Sequence, residues 1–264
     1  MEVKLEIQLP ISGTNSSISY YDSMINDINF FFFIIDTVLI VDYIPYHAKK
    51  SLELIDGMIT EEEIEKNPVD LMNNTPGKNI KQLRKHSQEF IEMIFSRLID
   101  NFQIYIVSLV RETLRVKPEI LHNNQPTISI AQLLKGESLD TLILEVIESK
   151  ISTLANKGFG NIEEWCITNG IPLTVKDDYR KLVVEFIAIR NIIIHNRCIV
   201  DEKYIRATPD CDFRLGSLRK LTVDDLYKAI NILNEIVIQT DTHAVSKYHL
   251  EINTIDEKSY STFL

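Results

Sequence analysis

Glycine and proline are scarce in this chain, eight of each in 264 residues. Folds made of many short strands need frequent turns, and turns need those two residues, so the shortage favours long helices. Cysteine is rarer still: Cys166, Cys198 and Cys211 are odd in number and form no C-x-x-C pair. Neither a disulfide framework nor a structural zinc site is indicated, and a reducing cytoplasm is the expected location. Basic residues are outnumbered, 28 against 38 acidic, giving a formal net charge of −10. That balance excludes broad neutralisation of nucleic-acid phosphates and confines any RNA contact to a local cationic cleft. A Gly-rich phosphate loop and an internal repeat are both missing, and Met1 to Pro10 lack the basic-then-apolar order of a signal peptide.

Uninterrupted apolar runs are also wanting. Phe30 to Val41 is the most apolar stretch, but Asp36 and Thr37 break it, and it falls short of the ~20 residues a bilayer crossing needs. It reads as a buried helix, and no membrane partner is expected.

Helical periodicity is abundant. Val3, Leu5, Ile7 and Leu9 alternate as in an extended arm, after which a helix is expected from about Ser19 to Ile55, bent near Pro45. Thr60-x-x-Glu63 reads as a capping box for a brief helix ending before Pro68, and Asn73 to Gly77 as a loop. From Ile80 to Thr113 apolar residues recur at three and four, which predicts one helix of about ten turns ended by Pro118. Ser129-x-x-Gln132 opens a short helix closed by Gly136, Ser138 caps one running to Lys157, and Asn161-x-x-Glu164 caps another reaching Gly170. A helix from about Val175 to His195 follows, then a short one capped by Asp201 and a long one from Thr222-x-x-Asp225 towards His249. The expected fold class is all-α, a helical bundle with an N-terminal helical and extended arm. Residues 1–76 read as an extension, 77–250 as the helical domain, and 251–264 as a tail without helical period.

Near the end of the Val175–His195 helix stand Arg190, Asn191 and His195. Imidazole moves protons near neutral pH, guanidinium matches phosphate with a planar fork, and an amide both donates and accepts. Together they suit metal-independent RNA cleavage by attack of the adjacent 2′-hydroxyl. At about 100° per residue Asn191 and His195 share a face, while Arg190 lies roughly 140° from His195. Either the long Arg stem wraps round, or a second copy across a twofold axis completes the site. The plain alternative is an Arg paired with an acidic neighbour, a locally bonded Asn and a helix-end His.

The stretch Arg190 to Tyr204 (RNIIIHNRCIVDEKY) resembles the signature segment of the HEPN superfamily, in which Arg, a polar residue and His define the motif. Arg97-Leu98-Ile99-Asp100-Asn101-Phe102 with Tyr105, and Pro118-Glu119-Ile120-Leu121, are similar to a group of uncharacterised bacterial HEPN-like proteins. The likeness covers roughly Asn79 to His249. It implies an all-α, commonly dimeric protein and an endoribonuclease of a toxin or phage-defence system. The rival it implies is a non-catalytic helical module that binds protein or RNA, with a defence-operon protein as partner. Arg190, Asn191 and His195 take the catalytic places, and Arg97, Asp100, Asn101, Asn196, Arg197 and Tyr204 the supporting ones. Cys198 departs from the pattern, because the signature turn often has Gly there.

Asp100 and Asn101 admit two readings, a surface pair with Arg97 or a face turned to the motif helix that orients Arg190. Arg111 and Glu112 invite the same two. The remaining histidines, His47, His86, His122, His243 and His249, lack partners at ligand spacing and read as surface residues. His195 and Cys198 make at most half of a metal site, so no metal and no cofactor is expected. Trp165 and Tyr179 suit either base stacking or the core.

Overall fold

The apolar spacing folds into helices whose ends are set by local cap chemistry. A computed structural model describes residues 4–5, 7–55, 77–124, 138–155, 158–173 and 175–254. These form an all-α bundle of eight helices: α1 (Asn15–Ile55), α2 (Lys78–Lys85), α3 (Ser87–Val116), α4 (Leu139–Ala155), α5 (Phe159–Thr168), α6 (Asp177–Asn196), α7 (Glu202–Ala207) and α8 (Val223–Tyr248). A 3-10 turn, Pro118–Asn124, follows α3. The Thr60–Glu63 box, Pro68, the Asn73–Pro76 part of the loop and the Ser129–Gly136 helix lie outside the described residues.

Helix α3 is the axis of the bundle, touching α1, α4, α6 and α8. Its stripe of Ile94, Phe95, Leu98, Ile99, Phe102, Tyr105, Ile106 and Leu109 is buried, as a 3.6-residue period requires. Helix α1 lies on the N-terminal side of the 73–77 loop, yet Tyr20, Tyr21, Met24, Ile25, Ile28 and Phe31 belong to the same core. Phe31 stacks on Phe90 of α3 at 5.2 Å, and Phe95 meets Phe186 of α6 edge-on at 6.0 Å.

Several expectations change. The Phe30–Val41 run is not buried: Phe30, Phe33, Ile40 and Val41 keep 46 to 59% of their surface exposed, and Phe31 alone among its large side chains is fully covered. The reason is that these side chains lie on the outer face of α1, turned away from the core that Phe31 joins. Helix α2, which packs beside this part of α1, is lysine- and arginine-rich and buries no residue. The ten-turn helix is broken at His86 (φ −108°, ψ 16°), which separates α2 from α3. Asp42 holds α2 in place by accepting from the backbone N–H groups of Asn79 at 3.0 Å and Ile80 at 2.7 Å. Burial pushes the Asp42 carboxyl up, but these bonds and one from the Asn79 side chain outweigh it and hold the carboxyl below its ordinary value.

Helix α5 starts at Phe159, not after Asn161, because Gly158 (φ 79°) turns the chain straight into it. Helix α1 runs on through Pro45 to Ile55. Residues 253–254 of the tail pair antiparallel with Ser12–Gly13 of the arm (β1, Ser12–Gly13; β2, Asn253–Thr254), so the tail begins as part of the fold. Asp241 of α8 secures the same corner, accepting from Thr14 N at 3.1 Å, Thr14 Oγ1 at 2.5 Å and Ser17 Oγ at 3.1 Å. Thr222 and Asp225 form the expected capping box at the head of α8.

Candidate functional site

Helix α6 opens with Asp177 and Asp178, whose charges suit the positive end of its dipole, and buries Val183, Phe186, Ile189 and Ile192 against the bundle. The motif is thereby fixed at its C-terminal end. Arg190 reaches across to α3, where its Nε and Nη2 both lie 2.8 Å from Asp100 Oδ1. Its Nη1 donates to Asn191 Oδ1 at 3.3 Å. Of the two readings of Asp100, the one that orients Arg190 is the arrangement present. The guanidinium is mostly covered, while Asn191 and His195 are exposed.

Asn101 and Arg97 turn elsewhere. Arg97 Nε donates to Asp27 Oδ1 at 2.7 Å and Asn101 Nδ2 to Asp27 Oδ2 at 2.9 Å, so both brace α3 against α1. Asn101 also borders a cavity of about 320 Å³ between these two helices. Arg111 pairs with Glu148, and Glu112 accepts from Ser16. Tyr204 is buried, edge-on to Phe213 at 6.5 Å, and does not reach the exposed end of α6. Trp165 and Tyr179 are half-buried, with Lys150 over the first ring and Lys176 over the second.

The turn after His195 is held open by unusual backbone. Arg197 (φ 50°) and Cys198 (φ 60°) are consecutive left-handed residues, a conformation that disfavours any side chain other than glycine's. Asn196 Nδ2 donates to the Ile199 carbonyl at 2.7 Å across this turn. Backbone bonds from Val200 to Ser217, Gly216 to Val200 and Arg219 to Cys198, all 2.8 to 2.9 Å, tie it to residues 216–219. Over-determination of this kind is what keeps a strained turn populated. Arg197 is exposed, and no carboxylate among the described residues pairs with it.

Sequence reasoning missed two residues on α3. The Cys198 thiol is pushed up to about 12 by burial and then by the Glu92 carboxylate beside it, so it stays protonated at neutral pH. Glu92 meets Cys198 in the turn after α6 and Asp100 meets Arg190 on α6, eight residues apart on one face of α3. Ser96 lies midway on that face, with its buried hydroxyl unpartnered. The 92-96-100 spacing, four and four, was the available signal. Among the described residues no group of three or more His, Cys, Asp or Glu is placed to hold a metal ion.

The arrangement is therefore a clamped guanidinium, an exposed imidazole and an exposed cation on a rigid helix end. No family model, curated protein or solved structure matches the chain. What is established is a mostly helical fold carrying this constellation.

Proposed function

We propose that the chain is a HEPN-like, metal-independent endoribonuclease acting at the C-terminal end of α6. The observation that carries this reading is the Arg190–Asp100 clamp on the same helix end that exposes His195. Asp100 engages Nε and one Nη2 hydrogen, leaving donors on Nη1 and Nη2 for a phosphate. His195 takes the proton of the 2′-hydroxyl as its oxygen attacks phosphorus, and a proton is returned to the departing 5′-oxygen. The products are a 2′,3′-cyclic phosphate and a free 5′-hydroxyl. Arg190 stabilises charge on the non-bridging oxygens, Asn191 positions the 2′-hydroxyl, and Arg197 and Asn196 hold the strand. Because Arg190 and His195 leave the helix about 140° apart, a second copy at this end supplies the complementary half of the site.

The same clamp favours one rival. Asp100 neutralises Arg190 already, as in a helical module that binds a partner protein or RNA without cleaving it. Incubation of total RNA with wild type, His195→Ala and Arg190→Ala in EDTA separates the two. Cyclic-phosphate ends from wild type alone support the enzyme, cleavage that survives both substitutions removes the mechanism, and no cleavage by any of the three supports the module.

A further inference from the structure

The outer face of α1 carries an inference independent of the Arg190 reading. Phe30, Phe33, Thr37, Ile40 and Ile44 are all exposed, and they are spaced three, four, three and four residues apart. That interval is the one by which one helix presents a seam to another. Val41 widens the stripe. Asp22 and Asn26, earlier on the same line, are exposed and polar, so the apolar seam begins at Phe30. The opposite face of the helix, with Met24, Ile28 and Phe31, is already committed to the core.

We propose that this seam pairs with the same seam of a second copy of the chain, antiparallel, about a twofold axis at Thr37. The spacing is nearly palindromic there, with apolar positions seven and four residues before Thr37 and three and seven after it. Crossing at Thr37 sets Phe30 beside the second copy's Ile44, and Phe33 beside its Ile40 and Val41. A ring then meets a branched aliphatic side chain throughout, and the smallest side chain occupies the closest approach, as a self-complementary interface requires. The area suffices as well. Taking about 200 Å² for a large apolar side chain, the exposed fractions of Phe30, Phe33, Ile40, Val41 and Ile44 leave about 500 Å² per copy. Two copies would bury about 1,000 Å², the size at which a specific interface becomes credible.

The polar anchors of α1 select this occupant over a bilayer crossing. Residues 15–44 are long and apolar enough to cross a bilayer by length and composition, with mean hydropathy 1.8 over their most apolar 18 residues. The full stretch contains four aspartates, Asp22, Asp27, Asp36 and Asp42, and no Lys or Arg. A helix lying on an anionic membrane needs cationic flanks, which Lys78, Lys81, Arg84 and Lys85 of α2 would supply, so anionic vesicles are one arm of the test. A spanning one would have to strip Asp27 from Arg97 and Asp42 from the head of α2.

Sedimentation velocity on the full chain tests the interface. The Phe33→Glu/Ile40→Glu variant should have half the mass of wild type at equal concentration, with its helical signal and unfolding transition retained. Orientation is read by cross-linking in a Cys211→Ser background, since Cys211 is the one native cysteine that is not buried. A short bismaleimide should join Phe30→Cys chains to Ile44→Cys chains when mixed, and neither kind to itself. An unchanged mass in the Glu variant, self-linking of Phe30→Cys, a monomeric wild type, or wild type that pelts as monomer with phosphatidylserine vesicles would each overturn the proposal. RNA cleavage is scored separately on the Phe33→Glu/Ile40→Glu variant, whose α6 end is unaltered, so loss of this interface with cleavage retained leaves the Arg190 reading standing, whereas a monomeric wild type counts against both.

Discussion

Arg190 grips one oxygen of Asp100 with two nitrogens, Nε and Nη2, each at 2.8 Å, from a helix ninety positions further along the chain. A pair of this kind fixes the plane of the guanidinium, which a lone surface arginine cannot do for itself. Asp100→Asn keeps the shape of the side chain and removes its charge. On the proposed reading cleavage falls at least tenfold, while stability drops by only about 1 kcal/mol because both partners are partly exposed. Arg190→Lys should do no better than Arg190→Ala, since an ammonium lacks the fork. His195→Ala, at an exposed position, should abolish cleavage and leave the unfolding midpoint within about 1 °C. RNA cleavage assays and thermal unfolding on the same preparations check all three.

The left-handed pair after α6 gives a prediction in which stability and function part company. Arg197 is exposed at φ 50°, so glycine there relieves strain at the loss of no packing. Arg197→Gly should raise stability by about 0.5–1 kcal/mol in thermal or urea unfolding. If Arg197 holds the RNA strand, the same stabilised protein should bind single-stranded RNA more weakly, with a shallower salt dependence. A stabilised variant with unchanged binding would restrict Arg197 to the turn.

How far these features were legible in the sequence depended on how local their chemistry is. Thr222 and Asp225 satisfy each other three residues apart, so the head of α8 could be read directly. Asp100 was visible only as one of two alternatives, because which face of α3 meets α6 is a tertiary matter. Glu92 and Ser96 went unread for the same reason. The exposure of Phe30, Phe33 and Ile40 was hidden because an apolar helix reads as buried unless it is known which of its faces meets the core. The pairing of residues 12–13 with 253–254 joins the two ends of the chain, and no local pattern announces it.

Two carboxyls should shift acid stability in opposite directions. For Asp225, burial raises the carboxyl, but the Arg219 guanidinium and the Thr222 backbone and hydroxyl outweigh it, and the net shift is downward. Its stabilising contribution is therefore complete above the ordinary value of 3.8 and is lost as pH falls through the lower folded value. Glu112 goes the other way: burial raises it, and the Ser16 bonds only partly oppose the rise. Its charged form costs stability at neutral pH, and that cost is relieved as pH falls through the raised folded value towards 4.5. Asp225→Asn should thus lower stability at pH 7 and flatten the acid limb below pH 4. Glu112→Gln should raise stability at pH 7 and lose that advantage near pH 4.5. Urea unfolding across this pH range reads both signs.

The N-terminal corner offers the most severe steric test. A Cβ added to Gly13 would lie 2.2 Å from Ser17 Oγ and 3.1 Å from Asp241 Oδ2. Ser17 cannot swing aside without cost, because its hydroxyl bonds the Thr14 carbonyl and Asp241, and Thr14 in turn caps α1 by accepting from Ser17 N. Gly13→Ala should therefore strain the β1–β2 pair and the cap together, at about 2 kcal/mol, or a midpoint lowered by about 5 °C. Ser17→Ala alone should cost about 1 kcal/mol for the lost bonds. In the double variant the clash is gone, so its midpoint should lie above that expected from adding the two losses. Simple additivity would mean that the backbone at residue 13 moves to accommodate the methyl group and that Ser17 is not what limits it.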